Sequence, residues 1–144
     1  MQIQPYLSFN GRCEEALHFY RDHLGGQITA LMRFKENPDP PTDGSLPPGL
    51  DDKVMHSSIR IGDSEIMATD GGCISNSGPA IFQGISLTLS VADEAEARVR
   101  FDALAQGGQV SMPLGPTFFS PSFGVLTDRF GVNWMVIVPA PMPG

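Results

Sequence analysis

Only two of the 144 residues are cysteine, Cys13 and Cys73, so no disulfide framework can hold this chain together. Neither has a Cys or His neighbour at zinc-site spacing, which argues against a structural zinc centre. Both read as reduced, small side chains. Long apolar runs are missing as well: none approaches the ~18 residues that a membrane span requires. The opening Met1-Gln2-Ile3-Gln4-Pro5 lacks the basic region and apolar core of a secretory signal, so the expected location is cytoplasmic, with no membrane partner. Positive charge is scarce, nine Lys and Arg against sixteen Asp and Glu for a formal net charge of −7. A chain of that sign does not track a phosphate backbone, and nucleic acid is not expected as a partner.

What the chain does contain is a repetition. Leu7–Phe19 and Leu24–Ile28 return 82 positions later as Leu89–Phe101 and Gln106–Val110. In both halves a short alternating apolar run leads into an acidic, alanine-containing helical segment, and both helices stop before a Gly-Gly-Gln, at Gly25-Gly26-Gln27 and Gly107-Gly108-Gln109. The matched pairs include Leu7/Leu89, Ser8/Ser90, Leu17/Val99 and Phe19/Phe101. A duplicated α+β module accounts for this pattern. Half-chains of about 70 residues bury too little apolar surface to stand comfortably alone, so the modules should share one domain over residues 1–144 and be paired further in a homodimer.

Along the chain, Ile3–Phe9 alternates as a strand with Ile3, Pro5, Leu7 and Phe9 on one face and Gln4, Tyr6 and Ser8 on the other. Cys13–Leu24 carries helical spacing up to the Gly25-Gly26 stop, and Gln27–Lys35 is a second strand. Glu36 to Lys53 holds five prolines among glycines and acids, which predicts a long mobile surface loop. Val54–Ile61 and Ser64–Thr69 flank Gly62-Asp63 as a hairpin, completing a first module over residues 1–70. A Gly/Ser-rich connection, Gly71 to Gly84, precedes a second module over residues 84–139. Its elements are strand Ile85–Val91, helix Asp93–Gln106, then strands Gln109–Met112, Phe123–Thr127 and Val132–Val138. Pro139 to Gly144 reads as a disordered tail.

The order βαβββ, twice, resembles the vicinal oxygen chelate superfamily, which includes glyoxalase I, bleomycin-resistance proteins and extradiol dioxygenases. Within it the chain is most similar to the PhnB-like branch. The resemblance rests on Pro5-Tyr6-Leu7-Ser8-Phe9-Asn10-Gly11 with Glu15-Ala16-Leu17 and Phe19-Tyr20, on Leu24-Gly25-Gly26, and on Ile66-Met67-Ala68-Thr69-Asp70. Above all it rests on Phe123-Gly124 through Thr127-Asp128-Arg129-Phe130-Gly131-Val132-Asn133-Trp134-Met135. It covers nearly the whole chain outside the proline-rich loop and the tail. The resemblance implies curved mixed sheets around a pocket, completed by a homodimer.

Metal-dependent members of that superfamily hold a divalent ion with His, Gln or Glu from the first and last strand of each module. The resemblance places Gln4, Met67, Ser86 and Met135 at those positions. Only Gln4 is a usable donor, because a thioether and an alcohol are poor ligands for Zn²⁺, Ni²⁺ or Mn²⁺. No metal and no other cofactor is therefore expected. A one-residue slip would present Ile66, Ala68, Trp134 and Val136 instead, which offer no ligands either.

Of the three histidines, His18 and His23 lie on the first helix and read as surface residues. His56 opens a strand and is the weak catalytic candidate, together with Glu65, which alternates with Met67. The remaining ligand-binding candidates are aromatic and softly polar: Tyr6, Ser8, Thr69, Thr88, Ser90, Phe118, Phe119, Phe123 and Trp134. Three phenylalanines within Pro116–Phe123 cannot all be buried in one regular strand, which suggests a lid or a dimer contact. Cys13, at a helix start, is either a thiol of lowered pKa or, as expected, a small buried residue. Gly71-Gly72 and Gly107-Gly108 lack the strand-then-helix order of a nucleotide loop, and nothing reads as an S-adenosylmethionine site.

The function expected is binding of a small, partly hydrophobic molecule without a catalytic metal. The alternatives are two. One is a lyase, isomerase or dioxygenase-like enzyme using a metal on Gln4 and His56, or His56 and Glu65 as an acid/base pair. The other is a sequestering resistance protein whose acidity attracts cationic antibiotics.

Overall fold

A computed structural model describes residues 1–38, 49–71 and 80–140. The chain divides into two compact units, Met1–Ala80 and Ile81–Gly144. Each is a βαβββ module in which a mixed four-stranded sheet packs one face on its own helix.

In the first unit the elements are β1 (Tyr6–Ser8), α1 (Cys13–Leu24), β2 (Gln27–Arg33), β3 (Val54–Ile61) and β4 (Ser64–Thr69), with strand order β1-β4-β3-β2. β1 runs parallel to β4 and the other pairs are antiparallel. Alternation decides what is buried. Leu7, Ile59, Ile66 and Ala68 point to one side, where they meet Cys13, Ala16, Leu17 and Tyr20 of α1. A side chain the size of Leu17 contributes about 1.5–3 kcal/mol when buried this completely. β1 is shorter than the alternation of Ile3–Phe9 predicts. Pro5 has no N–H to donate and only its carbonyl joins the ladder, accepting from Met67 N at 3.0 Å, so Ile3 is left exposed.

The helix α1 starts without a side chain of its own to cap it. Asp70, at the end of β4, serves instead. One carboxylate oxygen accepts from Gly11 N at 2.7 Å and Cys13 N at 2.9 Å, and the other accepts from Val54 N at 3.0 Å. The proline-rich segment begins in a short 3-10 turn, Phe34–Glu36. Its described flanks are tied together: Phe34 N donates to Lys53 O at 3.1 Å and Lys35 N to Asp51 O at 3.0 Å. Residues 39–48, on which the expectation of a mobile loop falls, lie outside the described residues, as do Cys73 and residues 141–144.

The second unit repeats the plan with β5 (Leu87–Ser90), α2 (Glu94–Ala105), β6 (Gln109–Gly115), β7 (Ser122–Thr127) and β8 (Asn133–Val138), in the order β5-β8-β7-β6. β5 is parallel to β8, as β1 is to β4. The core joins Ala97, Phe101 and Leu104 of α2 to Leu126, Trp134, Val136 and Val138. Gly108 lies against the Thr127 carbonyl, where a Cβ would collide with backbone, so the second glycine of the Gly-Gly-Gln stop is set by packing.

The repeat is not uniform along its length. The strands match at a spacing of 82, since Tyr6 pairs with Met67 as Thr88 pairs with Met135. The helices match at 81, Cys13–Leu24 against Glu94–Ala105. Four residues separate β1 from α1, Phe9-Asn10-Gly11-Arg12, but three separate β5 from α2, Val91-Ala92-Asp93. One extra residue after α2, Gln106, restores the register at the left-handed Gly25 and Gly107. The pairing of Leu17 with Val99 is thereby corrected: Leu17 is 1% exposed and Val99 63%. The shared core positions are Ala16 with Ala97 and Tyr20 with Phe101.

Candidate functional site

Among the described residues each sheet leaves one face without a helix of its own unit, and most candidate residues stand on these open faces. In the first unit the cross-strand register aligns Tyr6, Met67, Ser58 and Ala30 in one row across β1, β4, β3 and β2. Directly opposed residues share a face, so this row carries Met67 on the open side while Ile66 and Ala68 point to the helix. On the same face, His56 pairs with Met32 of β2. Tyr6 and His56 come from strands that are not neighbours, yet their rings stack with centroids 5.9 Å apart and planes at 24°. Tyr6 is 50% exposed, so this aromatic surface is open to a ligand. Ser8 is half-buried beside it.

Thr69 is committed elsewhere. Its hydroxyl donates to Met55 O at 2.6 Å and accepts from Gly71 N at 2.9 Å, which closes the end of β4 and leaves it little to offer a ligand.

The acid/base pair of His56 and Glu65 is corrected by the register. Glu65 is opposite Arg60, four positions along β3 from His56, a separation of about 13 Å at strand rise. Gln4 keeps the company of Glu65 and Arg60 in a recess at the hairpin end of the face, away from His56, so these two do not share a metal either. His18 is exposed on α1, and the His23 ring packs on Phe19 with centroids 4.5 Å apart.

In the second unit Thr88 pairs with Met135, which pairs with Val125, and Ser90 pairs with Ile137, which pairs with Phe123. Thr88, Ser90 and Ser86 are exposed on this open side, and Met135 is half-buried. Phe118, Phe119 and Phe123 form a ladder of edge-to-face rings, with centroids 5.1 and 5.0 Å apart. Phe118 is fully exposed at 100%. The turn beneath them is firmly built. Thr117 Oγ1 accepts from Phe119 N at 3.3 Å and Ser120 N at 3.0 Å, and Ser120 Oγ donates to Val138 O at 2.6 Å.

Trp134 belongs to the other side. It is 3% exposed in the helix-facing core, and its indole N–H donates to Asp128 Oδ2 at 2.9 Å. The other oxygen of Asp128 accepts from Phe130 N at 2.9 Å and Val132 N at 3.0 Å. The most specific stretch of the sequence, Thr127 to Met135, thus serves to shape a turn and seat an indole. On the open face that stretch places Met135 together with the half-buried Thr127 and Asn133, whose side chains bond each other at 2.9 Å.

Met32, Val125 and Ile137 also line the open faces, and Ser58 shares the first of them by register although it is buried. Alternation with Phe123 and Met135 is enough to place Val125 and Ile137. Met32 and Ser58 depend on strand pairing that no local pattern encodes. Burial pushes the Cys13 thiol up to about 12, only partly offset by the Ser57 hydroxyl 3.6 Å away, so of the two readings of Cys13 the inert buried one holds.

The family described as 3-demethylubiquinone-9 3-methyltransferase matches residues 1–137. The chain belongs to that family. Protein YjdN of Escherichia coli K12 is 35% identical over 148 residues, covering 99% of both chains. Among solved structures, protein PA1353 from Pseudomonas aeruginosa is 44% identical with a TM-score of 0.82, over 96% of this chain and 98% of that one. A PhnB protein from Bacillus cereus, described as a putative 3-demethylubiquinone-9 3-methyltransferase, is 31% identical with a TM-score of 0.78, over 96% and 99%. A glyoxylase/bleomycin resistance protein/dioxygenase domain from Frankia, at 14% identity and a TM-score of 0.64, shares the fold. The protein is thus PhnB-like, with the fold of a glyoxylase/bleomycin resistance domain, the fold that its motifs imply.

At the positions that the resemblance assigns to a metal, this PhnB-like chain has Gln4 and Met67 in the first unit and Ser86 and Met135 in the second. That donor set does not fit a divalent metal, for two thioethers and an alcohol bring no charge and little donor strength. Among the described residues no group of three or more His, Cys, Asp or Glu could hold a metal ion. No helix of the described residues is long and apolar enough to cross a membrane.

Proposed function

We propose that this PhnB-like protein binds a small, partly hydrophobic molecule on its open sheet faces, without a catalytic metal and as a homodimer. The observation that supports the reading most is the stack of Tyr6 on His56 beside Met67, at the place where metal-dependent relatives would need a ligand. Methionine and aromatic rings make a soft apolar surface that adapts to a ligand's shape, and His56 supplies a polar contact for orientation. Phe118, Phe119 and Phe123 extend the same chemistry in the second unit.

Methyl transfer, which the family description names, does not enter this reading. The glycine pairs Gly25-Gly26 and Gly107-Gly108 come after helices and precede strands, the reverse of the strand-to-helix order in which glycines cradle a nucleotide-like cofactor.

Two measurements test the proposal together. Addition of Zn²⁺ or Ni²⁺ should leave Tm unchanged, whereas a ligand at 100 times its Kd stabilises by about 2.7 kcal/mol and is easily seen. An apolar fluorescent probe, 8-anilinonaphthalene-1-sulfonate, should bind the folded protein and lose affinity in Tyr6→Ala. One equivalent of metal per chain with clear stabilisation, lost in Gln4→Ala, would replace this reading with the enzyme one.

A further inference from the structure

At the hairpin end of the first unit's open face lies a recess of about 510 Å³ lined by Gln2, Gln4, Arg60, Gly62, Asp63 and Glu65. Its chemistry differs sharply from the Tyr6 and Met67 surface next to it. Every side chain in the lining is polar, and one cation stands among two carboxylates. Arg60 and Glu65 are direct cross-strand partners, the geometry in which opposite charges ordinarily close on each other. They do not: among the described residues Arg60 forms no ion pair with Glu65 or with Asp63. The charges therefore remain available to something that enters the recess.

We infer that this recess binds a small zwitterion, a carboxylate and an ammonium carried on one short skeleton, as in a free amino acid or the ends of a dipeptide. The inference rests on the binding reading above and adds the polar end of its ligand. A guanidinium presents a planar fork of N–H donors that suits a carboxylate, and Arg60 supplies it. Glu65 and Asp63 accept from the ammonium, and the excess of one negative charge in the lining disfavours a ligand that is only an anion. Gln2 and Gln4 each offer both a carbonyl acceptor and amide donors, so they complete hydrogen bonds to either end. Gln4, the one superfamily metal position here with a usable donor, thereby has a role that needs no metal. The volume exceeds what the two charged groups would fill, leaving room for the ligand's remaining atoms to extend toward Tyr6 and Met67.

The probe is glycylglycine, monitored by side-chain and backbone NMR shifts of the full chain, with N-acetylglycine as the carboxylate alone and glycinamide as the ammonium alone. Saturable shifts at Arg60, Glu65 and the Gln4 amide are expected at millimolar glycylglycine, with each control weaker by about tenfold or more. Arg60→Gln and Glu65→Gln should each weaken glycylglycine by a similar factor while retaining the wild-type far-UV circular dichroism. Arg98→Gln, at an exposed residue of α2 in the second unit and outside the recess, should leave it unchanged. Equal binding of N-acetylglycine and glycylglycine, or indifference to Glu65→Gln, would overturn the inference. So would absence of saturable shifts, and if the fluorescent probe still bound, the broader binding proposal would survive without this extension.

Discussion

Single carboxylates carry more of this structure than its charged surface does. Asp70 satisfies three backbone N–H groups from two separate segments, those of Gly11, Cys13 and Val54. Asp70→Ala should destabilise the protein by ~2–3 kcal/mol, more than loss of an ordinary helix cap, because it leaves buried donors unmet. Urea unfolding measures this, and a loss within error would show that water replaces the carboxylate at no cost. The Cys13 thiol offers a second test. Its ordinary pKa near 9.0 is raised to about 12, so between those values the folded state holds a proton that the unfolded state has released. Stability is fully present below pH 9 and falls as pH rises toward 12, with a limiting slope of about 1.4 kcal/mol per pH unit. Unfolding above pH 9 should show this slope reduced in Cys13→Ser, with Cys73 present in both proteins. An identical pH profile for the two would contradict a buried, protonated thiol.

At the level of elements, the two helices solve one problem differently. Asp93 caps α2 through Glu96 N at 2.8 Å, within its own sequence, while α1, with Arg12 at its N-cap position, draws its acceptor from Asp70 just past β4. Asp93→Ala should cost ~1 kcal/mol in urea unfolding, whereas Arg12→Ala should change stability by much less, Arg12 capping nothing with its side chain. Comparable losses for both would mean that the local cap is not what anchors α2. The same contrast between local and distant partners separates what is legible in the sequence from what is not. Strand and helix existence, the hairpin at Gly62-Asp63 and the βαβββ order are legible because alternation, helical spacing and glycine stops are local signals. The one-residue slip between the helices is not, since Leu17 and Val99 are both apolar and only packing distinguishes them. Likewise alternation places Met67 and Met135 on the open faces, while the chemistry of Trp134 suggests a ligand contact although strand phase puts it in the core. The meeting of Tyr6 with His56 across an intervening strand has no counterpart in the sequence at all.

For the whole molecule, the proposed homodimer makes a simple statement about mass. Sedimentation at micromolar concentration should give twice the 15.5 kDa of one chain, and a stable monomer would remove the dimer from the proposed function. The distant cap of α1 also imposes an order in time. Cys13 and Asp70 are 57 residues apart, so as the chain leaves the ribosome the first helix is made long before the group that terminates it exists. α2, carrying its own acceptor, has no such wait. During synthesis the earlier helix is the one whose amino-terminal turn lacks its carboxylate acceptor until Asp70 is made, and contacts of that separation are the slow ones to form. The half of the duplication that is translated first is thereby the half whose helix waits on residues made later, and that helix is closed only when its module is complete.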